Sequence, residues 1–127
     1  MADQTPKHGT FCWNELITTD TCKAGDFYTS LLGWEKTPGP GGMDYTMWKA
    51  GEAMAGGMMA RTPEMGDVPS HWMSYITVDD VDALAGKIEG LGGKILCPPM
   101  DIPEVGRFLI LQDPTGGAVG LITFPKK

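Results

Sequence analysis

The first run of hydrophobic positions, FCWNELITT at 11–19, is rich in aromatic and β-branched residues and predicts a β-strand. Asp20 or Thr21 follows as a helix cap, because either side chain accepts a hydrogen bond from a free N–H group of the first turn. Apolar residues then recur at the spacing of one helix face, at Ala24, Phe27, Tyr28 and Leu31. Gly33 is typical of a residue that ends a helix. The pattern predicts a strand and then a helix at about 21–32.

The same pattern occurs a second time. Residues 72–79, WMSYITVD, predict a strand that leads to a cap at Asp79 or Asp80, and a helix follows at about 80–91. A shift of 59 positions superposes the two copies and aligns seven identical pairs in order: Trp13 with Trp72, Ile17 with Ile76, Thr18 with Thr77, Asp20 with Asp79, Ala24 with Ala83, Leu32 with Leu91, and Gly33 with Gly92. The sequence therefore contains an internal repeat. At the position of Glu15 the second copy has Ser74.

Each helix is followed by residues for three short strands. They are expected at about 34–38, 43–50 and 53–60 in the first copy, and at 94–97, 105–112 and 117–124 in the second. The sequence thus predicts an α+β fold of two tandem βαβββ modules, whose curved, cup-shaped mixed sheets carry the helices on their outer face. A tail (1–10), the first module (11–60), a linker (61–70) and the second module (71–127) together make one domain.

Composition excludes several classes of function. The formal net charge is −6 and no basic stretch is long, so nucleic acid is not an expected partner. No apolar run is long enough to span a membrane, and the polar N-terminus lacks the apolar core of a signal peptide, so we expect a cytoplasmic location and no membrane partner. The three cysteines are odd in number and form no C-x-x-C pair, which argues against a disulfide framework or a zinc knuckle.

Three stretches resemble those of a known superfamily: DFYTSLLGW (26–34), VDDVDALAGKIEGLGGKI (78–95) and QDPTGGAVGLI (112–122). In a chain of two βαβββ modules they resemble the vicinal oxygen chelate superfamily, which includes glyoxalase I, bleomycin resistance proteins and extradiol dioxygenases. The resemblance extends from about Phe11 to Phe124, and is greatest to a branch in which some proteins contain two such units in tandem. It implies the fold, but not one activity, because this superfamily varies its chemistry on one frame.

The resemblance also implies a divalent metal, held by His or Glu side chains from the first and fourth strands of each module. The corresponding positions here are Trp13; Gly56, Gly57 or Met58; Met73 or, at the literal offset, Trp72; and Gly120. None of these is a ligand for zinc or a hard cation, and a Met thioether would suit only copper(I). No cofactor is therefore predicted. A displaced divalent metal site that uses Glu15, His71 and a third group is the alternative.

Strand alternation predicts what lines the cup instead. If Trp13 stands where a ligand would, Glu15 and Ile17 also point inward; on the fifth strand Met73, Tyr75 and Thr77 do, while Ser74, Ile76 and Val78 face the helix. The two glycine positions would leave additional space. The predicted ligand-binding residues are Trp13, Glu15, Met58, Met73, Tyr75 and Gly120, the apolar and aromatic makeup of a small-molecule pocket. The alternative is a filled core, above all for Met58, Met73 and Trp13.

Glu15 is the candidate catalytic residue, because a carboxyl group that faces apolar walls becomes a candidate general acid or base. Tyr75 is its candidate hydrogen-bond partner. The alternative is a glutamate exposed at the strand edge, or one paired with Arg61, Arg107 or a lysine. Arg107 is also a candidate positive group for an anionic ligand.

Four hypotheses follow for the function. The first is a metal-independent protein that binds a small organic molecule, as in bleomycin resistance, and forms a homodimer. The second is an enzyme of the lyase or dioxygenase type that acts on a carbonyl or hydroxylated aromatic substrate, with Glu15 as acid/base. The third is a similar enzyme with a displaced metal, and the fourth is an interaction module with a filled cup.

Overall fold

The computed structural model describes residues 7–39, 45–63, 66–102 and 105–124. These contain eight β-strands and two α-helices in the order predicted, so the α+β class and the two successive βαβββ motifs are confirmed. The elements are β1 (Phe11–Thr18), α1 (Thr21–Leu32), β2 (Glu35–Pro38), β3 (Thr46–Ala50), β4 (Ala53–Ala60), β5 (His71–Thr77), α2 (Val81–Ile88), β6 (Lys94–Ile102), β7 (Gly106–Gln112) and β8 (Ala118–Thr123).

Two compact units make up the chain. The α1 unit is Asn14–Met73, and the α2 unit consists of Met1–Trp13 and Ser74–Lys127. Strands β1 and β5 each contribute residues to both. Neither described helix is long and apolar enough to cross a membrane.

In the α1 unit the strands follow the order β2-β3-β4-β1, antiparallel except for the parallel pair of β4 and β1. Helix α1 begins where predicted, because the side chain of Asp20 accepts a hydrogen bond of 3.0 Å from the N–H of Lys23. It ends where predicted at Gly33, whose φ of 73° lies in the left-handed region that glycine adopts without strain.

The core of the α1 unit lies between the helix and one face of the sheet. It is built on Leu16, Trp48 and Met58, with Ala24 and Tyr28 of α1 packed against it. The predicted apolar stripe of α1 is only half correct, since Phe27 and Leu31 are 56% and 63% exposed. The helix therefore has an apolar outer face as well as an apolar inner one.

The α2 unit repeats this design. Strand β5 is parallel to β8, and β8-β7-β6 continue as an antiparallel meander. The side chain of Asp80 caps α2 by accepting from the N–H groups of Asp82 and Ala83. The predicted helix at 80–91 is realised in two parts, because α2 ends at Ile88 and a 3-10 helix continues through Glu89–Leu91. The core contains Val78, Val81, Ile88, Leu109 and Leu121.

Strand β6 is longer than the predicted 94–97 and includes Pro98 and Pro99. Proline has no N–H group to donate to a sheet, so it is tolerated only in an edge strand or at a bulge. β6 is the last strand of its sheet, and its pairing with β7 shifts register between Cys97 and Met100. Both conditions hold here.

Candidate functional site

Glu15 lies on the face of β1 that points away from the α1 core. The parallel ladder pairs Glu15 with Gly57 of β4 and Leu16 with Met58. Since Leu16 and Met58 belong to the core beneath α1, the side chain of Glu15 extends to the opposite side. The residue is only 5% exposed. The Glu15 carboxyl group is therefore buried on the strand face opposite α1.

Tyr45 covers the neighbouring position on this face. A methyl group added at Gly57 would overlap the hydroxyl oxygen of Tyr45 and lie 2.6 Å from its ring atom Cε1. Adjacent strands are about 5 Å apart, and Gly57 is the register partner of Glu15. The Tyr45 hydroxyl is therefore within reach of the Glu15 carboxyl group. Met47, which pairs with Gly57 from the other side, is a half-buried apolar residue of this face.

The prediction that Met58 shares this face with Glu15 is wrong. Met58 is 2% exposed and packs in the core with Leu16 and Trp48, so the alternative of a core methionine is correct. The strand position next to it, Gly57, is the one that faces the Glu15 side. Tyr45 was not predicted as a site residue, although it lies within the strand expected at 43–50, because its role depends on a glycine in another strand. The available signal was Gly57, since a glycine inside a strand often marks a close approach by another group.

The α2 unit shows a similar arrangement around Tyr75, which is 6% exposed. Its neighbours Ile76 and Val78 pack on the α2 side, so alternation places Tyr75 on the opposite face, as predicted. Gly120 is its register partner on β8, and a methyl group there would overlap the Tyr75 ring and lie 3.1 Å from Cγ. The ring also meets Phe108 edge-on, with 6.3 Å between centroids.

Both glycine positions are thus covered by tyrosines. The expectation that glycines at 57 and 120 leave additional space for a ligand is wrong, because the side chains of Tyr45 and Tyr75 occupy it. These glycines allow an aromatic side chain to lie flat against the strand.

Trp72 and Met73 occupy opposite faces of β5. The indole N–H of Trp72 donates to the Tyr28 hydroxyl at 3.2 Å, so Trp72 lies on the side of α1. It belongs to an aromatic cluster in which the ring centroids of Tyr28 and Trp34 are 5.9 Å apart and stacked. Met73, 5% exposed, therefore faces away from α1 in its own unit. This agrees with the assignment of Met73, rather than Trp72, to the inward position.

The residues at the metal positions of the superfamily do not suit a metal. At the positions where the superfamily has metal ligands, this chain has Trp13, Met73 and two glycines that tyrosine side chains cover. Trp13 is half-buried. Across 7–39, 45–63, 66–102 and 105–124, no three His, Cys, Asp or Glu side chains form a group that could hold a metal ion. His71, the histidine of the displaced site, has its Nδ1 atom 2.8 Å from the carbonyl oxygen of Pro69.

Arg107 is engaged in ion pairs. Its Nε atom lies 2.8 Å from a carboxylate oxygen of Asp82, and its Nη1 atom lies 3.1 Å from Asp101. The hydrogen bonds with Asp82 and then Asp101 raise the pKa of the guanidinium group above its ordinary value. Arg107 therefore fastens α2 to β6 and β7, which accounts for its charge without an anionic ligand. Arg61, a candidate partner of Glu15, donates from Nη1 to the carbonyl oxygen of Val68 at 2.9 Å.

Comparison with known proteins gives a family match over most of the chain. The family model described as Glyoxalase/Bleomycin resistance protein/Dioxygenase superfamily matches residues 10–121. The chain is 41% identical over 116 residues to "Putative glyoxylase CFP32" of Mycobacterium tuberculosis (strain CDC 1551 / Oshkosh), covering 90% of this chain and 44% of that protein. It is 32% identical over 126 residues to "Anthracycline biosynthesis protein DnrV" of Streptomyces peucetius, covering 87% and 45%. The chain therefore spans a little under half the length of these curated relatives.

Solved structures with low sequence identity share the fold. Methylmalonyl-CoA epimerase from Mycobacterium tuberculosis has a TM-score of 0.61 at 14% identity, over 99% of this chain and 94% of the epimerase chain. The Mn(II)-bound glyoxalase from Novosphingobium aromaticivorans has a TM-score of 0.61 at 17% identity, over 94% and 40%. An extradiol ring-cleaving dioxygenase from B. fuscum reaches 0.63 at 18% identity, over 95% and 34%. At these identities the likeness shows the fold alone.

Proposed function

We propose that this chain, which belongs to the Glyoxalase/Bleomycin resistance protein/Dioxygenase superfamily, binds a small planar aromatic molecule that carries hydroxyl groups, without a metal. Glu15 is the polar anchor of this ligand, and Trp13, Met73 and Tyr75 remain its proposed apolar and aromatic contacts, while the ring of Tyr75 covers Gly120. The observation that carries the proposal is the burial of Glu15, at 5% exposure, on the strand face opposite α1.

Burial of a carboxyl group lowers the stability of the fold unless its charge is compensated, so a buried carboxyl group is a candidate functional residue. Glu15 makes an interaction within the protein. An ionised carboxylate nevertheless has two oxygens and about four acceptor sites, so it can accept a further hydrogen bond from a ligand hydroxyl. A hydrogen bond to a charged group contributes about 1.5–3 kcal/mol, which is enough to orient a ligand held mainly by apolar contacts.

The relatives support an aromatic ligand. One of them is named for anthracycline biosynthesis, and an anthracycline contains a planar ring system with phenolic hydroxyl and quinone carbonyl groups. Phenolic O–H groups are the donors that a carboxylate accepts best. The bleomycin resistance proteins of the superfamily name are in turn consistent with binding that needs no chemical step.

The test is a titration with quinizarin, a dihydroxyanthraquinone, followed by its absorbance and fluorescence. We expect Glu15→Gln to lower the affinity about tenfold or more, while the melting temperature changes little, because the amide keeps the volume and most hydrogen bonds. Glu35→Gln is the matched control, since Glu35 is an exposed strand glutamate of the same unit. Unchanged affinity together with lower stability would show Glu15 to be a structural residue.

Treatment with EDTA tests the metal-independent part of the proposal. Quinizarin affinity should be the same before and after chelation, and elemental analysis of the purified protein should find well under one divalent ion per chain. A stoichiometric metal whose removal abolishes binding would favour the displaced site with Glu15 and His71.

An enzyme of the lyase or dioxygenase type is the second candidate function. The position of the Tyr45 hydroxyl beside Glu15 favours it, since a carboxyl group and a phenol can act as an acid/base pair on a carbonyl or hydroxylated aromatic substrate. Tyr75 remains the other candidate partner. Turnover of a bound compound that Glu15→Gln abolishes without loss of binding would support catalysis over sequestration.

The chain is also proposed to form a cytoplasmic homodimer. The exposed apolar face of α1, formed by Phe27, Leu31 and Leu32, supports the dimer, because such surfaces on soluble proteins are often interaction sites. The edge strands β2 and β6 leave further backbone groups for pairing. The location rests on the three cysteines, which are all free thiols.

A further inference from the structure

Thr77, near the end of β5, has a buried hydroxyl group with no hydrogen-bond partner. The residue is 5% exposed, and among the buried side-chain nitrogen and oxygen atoms of the described residues its Oγ1 is the one without a partner. Its backbone groups are satisfied, since the N–H donates to Thr10 and the carbonyl accepts from Gly9. An unpaired buried hydroxyl costs about 1–3 kcal/mol, so this group calls for an explanation.

Two other threonines, half-buried Thr123 and buried Thr18, have hydrogen-bond partners for their hydroxyl groups. Thr123 lies in the same unit on the α2 side, where its Oγ1 accepts from the N–H of Val81 and donates to the carbonyl of Val78, both at 3.0 Å. Thr18, the repeat counterpart of Thr77, accepts from the N–H of Asp20 at 3.2 Å and lies 3.3 Å from the Ser70 hydroxyl. A valine would fill the Thr77 position equally well if packing were its whole role.

The Thr77 hydroxyl belongs to the same strand face as Tyr75. Ile76 and Val78 alternate with them and pack under α2, so Thr77 and Tyr75 lie on the other side of β5. The register partner of Thr77 is Ile122, and Ile122 pairs in turn with Phe108. The residues in register with Thr77 on the next two strands of its unit are thus aliphatic and aromatic.

From this placement we propose that Thr77 is a ligand-binding residue whose hydroxyl donates a hydrogen bond to a carbonyl oxygen of a neutral aromatic ligand. The inference rests on the proposed ligand-binding function and specifies the ligand further. One hydroxyl among apolar neighbours suits a neutral acceptor, because an ionised group would need several polar partners there. The Thr77 hydroxyl can donate a hydrogen bond, which selects a carbonyl group of the ligand rather than a ligand group that can only donate.

The test compares two probes and three substitutions. Anthraquinone carries carbonyls alone, and quinizarin carries carbonyls and hydroxyls. We expect Thr77→Val to weaken the binding of both probes roughly tenfold, with an unchanged or higher melting temperature since it removes only an unpaired hydroxyl. Thr77→Ser, which keeps the hydroxyl, should retain most of the affinity. Thr123→Val is the matched control: it should lower the melting temperature and leave the dissociation constants of both probes unchanged.

The outcomes separate this inference from the function on which it rests. If Thr77→Val leaves both affinities unchanged while Glu15→Gln weakens quinizarin, the hydroxyl holds at most a buried water and the inference is overturned alone. If Thr77→Val weakens both probes while Glu15→Gln changes neither, the role of Glu15 fails and that of Thr77 stands. Failure of the unmodified protein to bind either probe overturns both.

Discussion

Replacement of Gly120 by alanine tests whether an aromatic ring lies flat against β8. The added methyl group would overlap the ring of Tyr75 and come within 3.1 Å of its Cγ. Because β5 and β8 are hydrogen-bonded at this pair, the backbone cannot move aside without loss of the ladder. The Tyr75 side chain must therefore change its rotamer.

The loss of unfolding free energy in Gly120→Ala depends on how tightly Tyr75 is packed. It is 6% exposed and packs edge-on against Phe108, so a new rotamer would have to displace other buried atoms. Overpacking of this kind costs about 1–3 kcal/mol, and a clash with the middle of a ring belongs in the upper half of that range. For a domain of this size we expect the melting temperature to fall by roughly 10 °C.

Urea denaturation followed by tryptophan fluorescence measures the change in free energy of unfolding. Gly86→Ala in α2 is the control, since nothing lies within 4 Å of the added methyl group and alanine is the better helix former by about 0.5–1 kcal/mol. In the double variant Tyr75→Leu/Gly120→Ala, the cost of the alanine should largely disappear. A cost below about 0.5 kcal/mol for Gly120→Ala, or the same cost with and without Tyr75, would refute the reasoning.

Three further predictions follow. Gly57→Ala should cost only about 1 kcal/mol, because the overlapped tip of half-buried Tyr45 can move aside. It should weaken quinizarin binding, and Tyr45→Phe should weaken it as well, because the Tyr45 hydroxyl is within reach of Glu15. Hydrogen bonds from Thr115 hold the pKa of Asp113 below its ordinary value of about 4. The ionised Asp113 therefore stabilises the fold fully above about pH 4, and this stabilisation is lost as the pH falls through the lowered pKa. Acid denaturation curves of Asp113→Asn should lack this loss. Phe27→Lys should yield monomers in light scattering with an unchanged melting temperature, since Phe27 is exposed within the chain.

The elements of the fold could be predicted because each rests on local chemistry. Asp20 and Asp80 cap helices where a carboxylate should, and Gly33 ends α1 in the left-handed conformation. The internal repeat then predicted the second half from the first. Strand β6 is longer than predicted, because prolines end most strands, and its position at the sheet edge and its register shift permit them here.

The faces of the strands were harder to predict than the strands themselves. On β5 the alternation was correct, since Ile76 and Val78 identify the helix side. On β4 the residues GGMM give no alternation, so Met58 was assigned to the wrong face. Tyr45 was missed for a related reason: its importance depends on the length of its side chain and on a glycine in another strand, which no pattern within one segment contains.

The two covered glycines explain how this chain departs from a metal-binding relative. A metal ligand must extend from the strand into open space, whereas Gly57 and Gly120 extend nothing and admit the tyrosine of a neighbouring strand or loop. Restoring histidine at either position would meet a tyrosine rather than an open site, so one substitution cannot rebuild the ligand set. On these strand faces the described residues place the buried Glu15 carboxyl group in the α1 unit and the unpaired Thr77 hydroxyl group in the α2 unit. We therefore propose that hydrogen bonding to a ligand, rather than coordination to a metal, is the chemistry of these strand faces.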